Sequence, residues 1–229
     1  MKSAVAEAWA ASMVAGPSAQ DLLEDEHDAR LAEALTEGVA ISDGVFDLLY
    51  PRSARVVSSV FWTPVSVALR VAELLVVDCA TRVLDVGSGV GKFCVVGALA
   101  TGASFTGIEH RAHLVAIARD AARRTGARAT FIDGRLASDS LADIDAIYFF
   151  NPFAENAFPP EDHLDHEVEL SLDRALFDVE LAERLLAGAK IGTRVATYHG
   201  FGGDMPPTYE LQLTEPHRTD QIELWVKTA

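Results

Sequence analysis

The chain has 229 residues and a formal net charge of −15, from 34 acidic against 19 basic side chains. That length fits one large domain or a core with an appendage, and 49% hydrophobic against 23% charged content supplies a sizeable core and excludes global disorder. Such an acidic average surface repels phosphate backbones and anionic lipid, and the arginines are scattered, so nucleic acid and membrane partners are disfavoured and a neutral or cationic partner is favoured.

In chain order, residues 1–15 are alanine-rich with one early charge, Lys2, but Glu7 interrupts the apolar region. They read as an N-terminal helix rather than a secretory leader. No uninterrupted apolar run of about 18 residues exists to span a membrane. Gly16-Pro17 then breaks the chain, and Ser18 ahead of Asp21 reads as a capping arrangement for a helix with Leu22, Leu23, Leu31, Ala34 and Leu35 on its apolar side and Gly38 at its end. After Tyr50-Pro51 comes Phe61-Trp62-Thr63-Pro64, where Thr63 is expected to cap, and Pro64 to open, a helix running through Leu75.

From there strands and helices alternate. Strands are expected at 83–86, 104–109, 129–132, 146–150 and 194–198, with helices at 91–100, 111–124 and 170–186, and two closing strands at 209–214 and 221–227 turn through Glu215-Pro216-His217-Arg218. This order predicts an α/β fold, a doubly wound, mostly parallel seven-stranded sheet with an antiparallel last strand, plus an N-terminal helical extension. The expected division is a helical region at 1–59 and a core at 60–229. Cys79 and Cys94 lack the spacing of a zinc site or disulfide framework, read as buried small hydrophobes, and make a reducing cytoplasm the default compartment.

The strongest chemical signal is Asp85-Val86-Gly87-Ser88-Gly89-Val90-Gly91, directly after a hydrophobic strand and before a helix. Glycines there let the backbone turn tightly against a ligand, and a helix N-terminus presents unpaired amides. A phosphate-cradling Walker loop would need glycine where Val86 stands and a hydroxyl where Phe93 stands, and a dinucleotide fingerprint would put its third glycine five residues after the first rather than four. Glu109 ends the second strand, 22 residues after Gly87, where a carboxylate can accept from both hydroxyls of a ribose, and Asp133-Gly134 ends the third.

Asp85, Gly87, Gly89 and Gly91 resemble the first motif of the class I (seven-stranded, Rossmann-like) S-adenosylmethionine-dependent methyltransferases, and the resemblance covers about residues 63–229. It implies S-adenosyl-L-methionine as cofactor, held by Thr63, Asp85, Gly87, Ser88, Gly89, Gly91, Glu109, His110, Asp133, Gly134 and Asn151, with Glu109 on the ribose and Asp133 on the adenine amine. Asn151-Pro152-Phe153 is similar to a shortened form of the motif that many amino-group methyltransferases carry after the fourth strand. It implies catalytic roles for Asn151, which would orient the target amine, and Phe153, whose ring would pack against it. The same residues also read as an Asn-Pro turn with core aromatics. A narrower likeness, to the non-SET histone-lysine methyltransferases, rests on the Gly-Ser-Gly-Val-Gly turn and the asparagine before aromatics, without the basic segment chromatin would require.

The implied function is therefore methyl transfer to an amine on a protein or small molecule. The alternatives are an oxygen or carbon acceptor with His199 or His163 as general base, or a cofactor-binding regulatory protein without catalysis. In this class the segment before the first strand often closes over the cofactor's methionine part, which implies that Trp62 and Tyr50 line the pocket. His163 and His166 lie among Glu161, Asp162, Asp165, Glu167 and Glu169, a pattern open to a divalent metal but read here as a solvated lid, with no metal expected. The acceptor's identity and the oligomeric state are open.

Overall fold

The computed structural model describes residues 19–218 and 220–229. Strands β1 (Arg82–Val86), β2 (Ser104–Glu109), β3 (Ala129–Asp133), β4 (Ala146–Phe150), β5 (Arg194–Tyr198), β6 (Tyr209–His217) and β7 (Asp220–Lys227) form one sheet in the order β3-β2-β1-β4-β5-β7-β6. The first five pair in parallel, and β7 inserts antiparallel between β5 and β6. Helices α1 (Ala19–Thr36), α2 (Val65–Leu75), α3 (Lys92–Thr101), α4 (Ala112–Thr125) and α5 (Leu172–Gly188) complete the frame.

Strand parity divides the interior in two. Val83, Phe105, Ala146, Tyr148 and Ala196 point to one face and join α1 to α4 in the larger core, whereas Leu84, Val86, Ile108, Ile147, Phe149 and Val195 point to the other and meet Ala182 and Leu186 of α5. Strands buried on both faces read as continuous apolar runs, as Ala146-Ile147-Tyr148-Phe149 does. Among the described residues, no helix is long and apolar enough to cross a membrane.

Several local expectations change. Leu31 and Leu35 of α1 are buried, but Leu23 is 68% exposed because it lies off the stripe facing α3 and α4. The residues 1–18, with the Ser18 cap and the Gly16-Pro17 break, lie outside the described residues. Thr63 does not cap α2. Pro64 is the N-cap, and the amide of Val65 donates to Asp43 Oδ1 at 2.8 Å, a cap supplied from 22 residues away that spacing could not show. Cys94 is buried as expected, but Cys79 is exposed in the turn before β1. Glu215, Pro216 and His217, expected in a turn, instead extend β6 by pairing with β7.

One buried cation fastens the N-terminal region to the sheet. Lys92, the first residue of α3, is 2% exposed, and its Nζ donates to Asp47 Oδ1 at 2.7 Å, Asp43 Oδ1 at 2.9 Å and Ser58 Oγ at 3.3 Å. Removing one member of a buried ion cluster leaves its partners desolvated and unpaired, at a cost of about 3–5 kcal/mol. Lys92→Met is expected to lower the urea midpoint accordingly, and adding Asp47→Asn to recover part of the loss; a double variant no more stable than the single would contradict this coupling.

Candidate active site

A cleft of about 270 Å³ opens along the carboxyl edge of the sheet. Gly87 and Gly89 after β1, Glu109, His110 and Arg111 at β2, Phe150, Asn151 and Pro152 at β4, and His199 after β5 supply its floor. β1 and β4 are the neighbours at which strand order reverses, the place where open α/β sheets bind ligands.

The turn between β1 and α3 is left-handed at Gly87, Gly89 and Gly91, with φ of 76°, 53° and 74°. Its surroundings are also too close for any side chain. A Cβ on Gly89 would lie 2.5 Å from the Trp62 ring, one on Gly87 2.8 Å from Pro152 Cβ, and one on Gly91 2.4 Å from Phe131. Trp62 is held there by its indole N–H, which donates to the carbonyl of Ala54 at 2.8 Å.

Glu109 is buried beside this turn. Its Oε2 accepts from the Gly89 amide at 3.1 Å and its Oε1 from the Arg111 amide at 2.9 Å. An ionised carboxylate has about four acceptor positions, so lone pairs remain for a ligand. Burial raises the pKa of Glu109, and the Arg111 amide and guanidinium oppose that rise. Asp85 is wholly enclosed, accepts from Cys94 Sγ at 3.5 Å, and is pushed up to about 7 by burial, with the charge of Glu109 adding to it. His110 moves down to about 4 through burial and the nearby Arg135 and Arg111, so its ring is neutral at pH 7, and its buried Nε2 has no partner among the described residues.

The outer wall consists of residues 154–170, which include the acidic stretch 161–169 expected as a solvated lid, and one side chain, Arg111, holds it. This buried guanidinium donates from Nη2 to Glu155 Oε1 at 2.8 Å and from Nε to Asp165 Oδ1 at 3.2 Å. Glu155 also accepts from the Leu164 amide at 2.7 Å, so Ala154, Asn156, Phe158, Leu164 and Leu170 are brought to the cleft. Neither Arg111 nor Glu155 was singled out from the sequence; an arginine two residues after Glu109 at a strand end was the available signal.

Asn151 and His199, at adjacent strand ends, both have left-handed backbones, φ 43° and 62°. The Asn151 amide donates to the Gly200 carbonyl at 3.0 Å, which ties the two ends together. The Asn151 side chain makes no hydrogen bond to the described residues, and Asn151 lines the cleft. Trp62 lines the cleft as expected, whereas Tyr50 does not, being 3% exposed within the larger core against Phe46. Phe153 packs on the second core instead of lining the cleft, where Phe61, Phe150 and Phe158 stand. Asp133 and Gly134 stand beside Glu109 at the sheet's edge, with the Gly134 amide donating to the Glu109 carbonyl, and do not line the cleft. Thr63, Ser88 and Gly91 lie behind the turn, Thr63 Oγ1 3.3 Å from Tyr148 Oη and Ser88 against Gly107. Among the described residues no group of three histidine, cysteine or acidic side chains could hold a metal, and Asp165 is engaged by Arg111.

The family model for protein-L-isoaspartate(D-aspartate) O-methyltransferase matches residues 52–159. Among solved structures, TrmN from Thermus thermophilus is 18% identical over 76% of this chain with a TM-score of 0.52, and this chain spans about half of it, 53%. The RNA methyltransferase from Salinibacter ruber in complex with S-adenosyl-L-homocysteine is 21% identical over 72% of this chain and 90% of its own, TM-score 0.49. No curated protein matches the chain. Strand order and glycine turn give this chain the fold of the class I S-adenosylmethionine-dependent methyltransferases, and residues 52–159 are similar to a methyltransferase family. The stretch similar to the isoaspartate O-methyltransferases, residues 52–159, runs from before Trp62 into the start of the outer wall.

Asp85 gives this site a pH signature. A carboxyl whose folded pKa is about 7, against about 3.9 unfolded, stabilises nothing relative to a neutral amide at low pH and costs stability as pH rises through that window, by about 4 kcal/mol in full. The melting temperature of Asp85→Asn is therefore expected to gain on the wild type between pH 5 and pH 8. An equal difference at both pH values would contradict the buried, raised carboxyl.

Proposed function

We propose that the chain methylates an amino group presented to Asn151. The observation that carries this reading is a side-chain amide without a hydrogen-bond partner among the described residues, on a left-handed backbone tied to Gly200, in the floor of the cleft next to Phe150. Strained conformations persist where surrounding structure enforces them and often mark function. The amide oxygen would accept an N–H from the acceptor and turn the nitrogen lone pair inward.

The cofactor supplies a methyl group already activated by its sulfonium charge. Glu109 would hold the ribose hydroxyls with the lone pairs left free by Gly89 and Arg111, and the backbone at Gly87 and Gly89 would take the methionine part beneath Trp62. His110, neutral and unpartnered at Nε2, would meet the adenine, with Asp133 and Gly134 at its outer edge. Asp85, Ser88, Gly91 and Thr63 would act by shaping the turn, and Phe153 by supporting the Asn151 loop from the second core.

The rim favours a cationic acceptor. Glu155 and Asp165 are paired with the buried Arg111, but Glu161, Asp162, Glu167 and Glu169 are exposed on the same outer-wall segment. That charge disfavours the phosphate backbone of nucleic acid and suits a lysine-bearing protein or a small amine. A second reading, transfer to a carboxylate oxygen, is favoured by the family match over residues 52–159.

Methyl transfer to poly-L-lysine, spermidine, a carboxylate-bearing peptide and RNA separates these acceptors. With an amine, Asn151→Gly, which keeps the left-handed backbone but strips the amide, is expected to lower kcat about 100-fold with little change in cofactor affinity. Full turnover by the variant would contradict the role of Asn151, and methylation of the peptide or RNA alone would contradict the amine assignment.

A further inference from the structure

In the floor of the same cleft, His199 stands with Nδ1 2.6 Å from Asp220 Oδ2. The two come from neighbouring strands, His199 from the end of β5 and Asp220 from the start of β7, whose antiparallel register pairs Tyr198 with Ile222. A carboxylate on Nδ1 fixes that nitrogen as the protonated one and leaves Nε2 as an acceptor, the relation by which a base is oriented. The His199 backbone is left-handed, φ 62°, and Gly200 beside it is bonded through its carbonyl to the Asn151 amide. The Phe150 ring, on the residue before Asn151, has its centroid 5.6 Å from that of the imidazole. Nothing in the Asn151 reading employs this pair.

We propose that His199 is the base that removes the proton from the incoming ammonium group, with Asp220 as its positioning residue. The inference rests on the amine reading, because an alkylammonium has no lone pair with which to attack. In the step, one N–H bond of the ammonium breaks, its proton passes to Nε2 of His199, and the electron pair remains on nitrogen. That pair forms the new N–C bond as the methyl group's bond to sulfur breaks. The imidazolium, 35% exposed, then releases its proton to solvent. Asp220 is the charged group against the ring. Tyr198 on its own strand and Phe150 on β4 are the other near neighbours, while Arg218 of the same hairpin turns away to Asp43.

His199→Asn suits the left-handed backbone, which asparagine tolerates better than most residues. With spermidine or poly-L-lysine as acceptor, kcat at pH 7 is expected to fall at least about 100-fold. The rate should rise with pH and approach that of wild type near pH 10, where the amine deprotonates unaided. Asp220→Asn should give a smaller loss, and neither variant should change the dissociation constant for S-adenosylhomocysteine. Independently of turnover, long-range nitrogen NMR of the full chain should show the His199 proton on Nδ1, and on neither nitrogen preferentially in Asp220→Asn. A wild-type rate at pH 7 in His199→Asn, an equal loss at every pH, or a proton on Nε2 in the wild type would overturn the proposal. Failure of the wild type to methylate any amine would instead overturn the amine reading on which it stands.

Discussion

The site depends on a steric constraint: the chain between β1 and α3 must turn left-handed three times within five residues, with Trp62, Pro152 and Phe131 pressed against the turning points. Glycine alone meets both conditions, a positive φ and no Cβ. Because the turn is so tight, the Gly89 amide reaches the Glu109 carboxylate, and β1, β2 and β4 end around one space. A bulkier turn would separate these strand ends from Trp62 and dismantle the cleft from its floor.

Two buried cations then hold the cleft's sides. Lys92 gathers Asp43, Asp47 and Ser58, which sets the N-terminal segment so that Trp62 covers Gly89. Arg111 gathers Glu155 and Asp165, which sets residues 154–170 as the outer wall. Both cations leave the sheet's carboxyl edge and both meet acidic side chains far away in sequence. Part of the chain's negative charge is thus structural.

The sheet was legible because buried strands leave apolar runs and the helices between them leave breaks, so all seven strands lie within a few residues of their expected places. Asp85, the glycines and Glu109 were legible because their spacing is tied to that local strand, turn and helix geometry. Contacts between distant segments left no such trace. Asp43 capping α2 in place of Thr63, Arg111 clamping Glu155, and Tyr50 turning into the core are decided by how remote pieces pack. The extension of β6 has the same origin: Pro216 reads as a turn residue, yet β7 pairs with it. The Asn151 loop was visible as a motif, but its left-handed backbone and its tie to Gly200 were not.

The most direct test of the account is calorimetric titration of the purified chain, and of Gly89→Ala beside it, with S-adenosylmethionine, S-adenosylhomocysteine and NAD. Saturable binding of both adenosyl compounds by the wild type, no binding of NAD, and loss of affinity in a variant that still folds are the predicted results, since the added methyl group would displace Trp62. Binding of NAD alone, or unchanged affinity in Gly89→Ala, would contradict the claim that this glycine turn is the floor of the cofactor site.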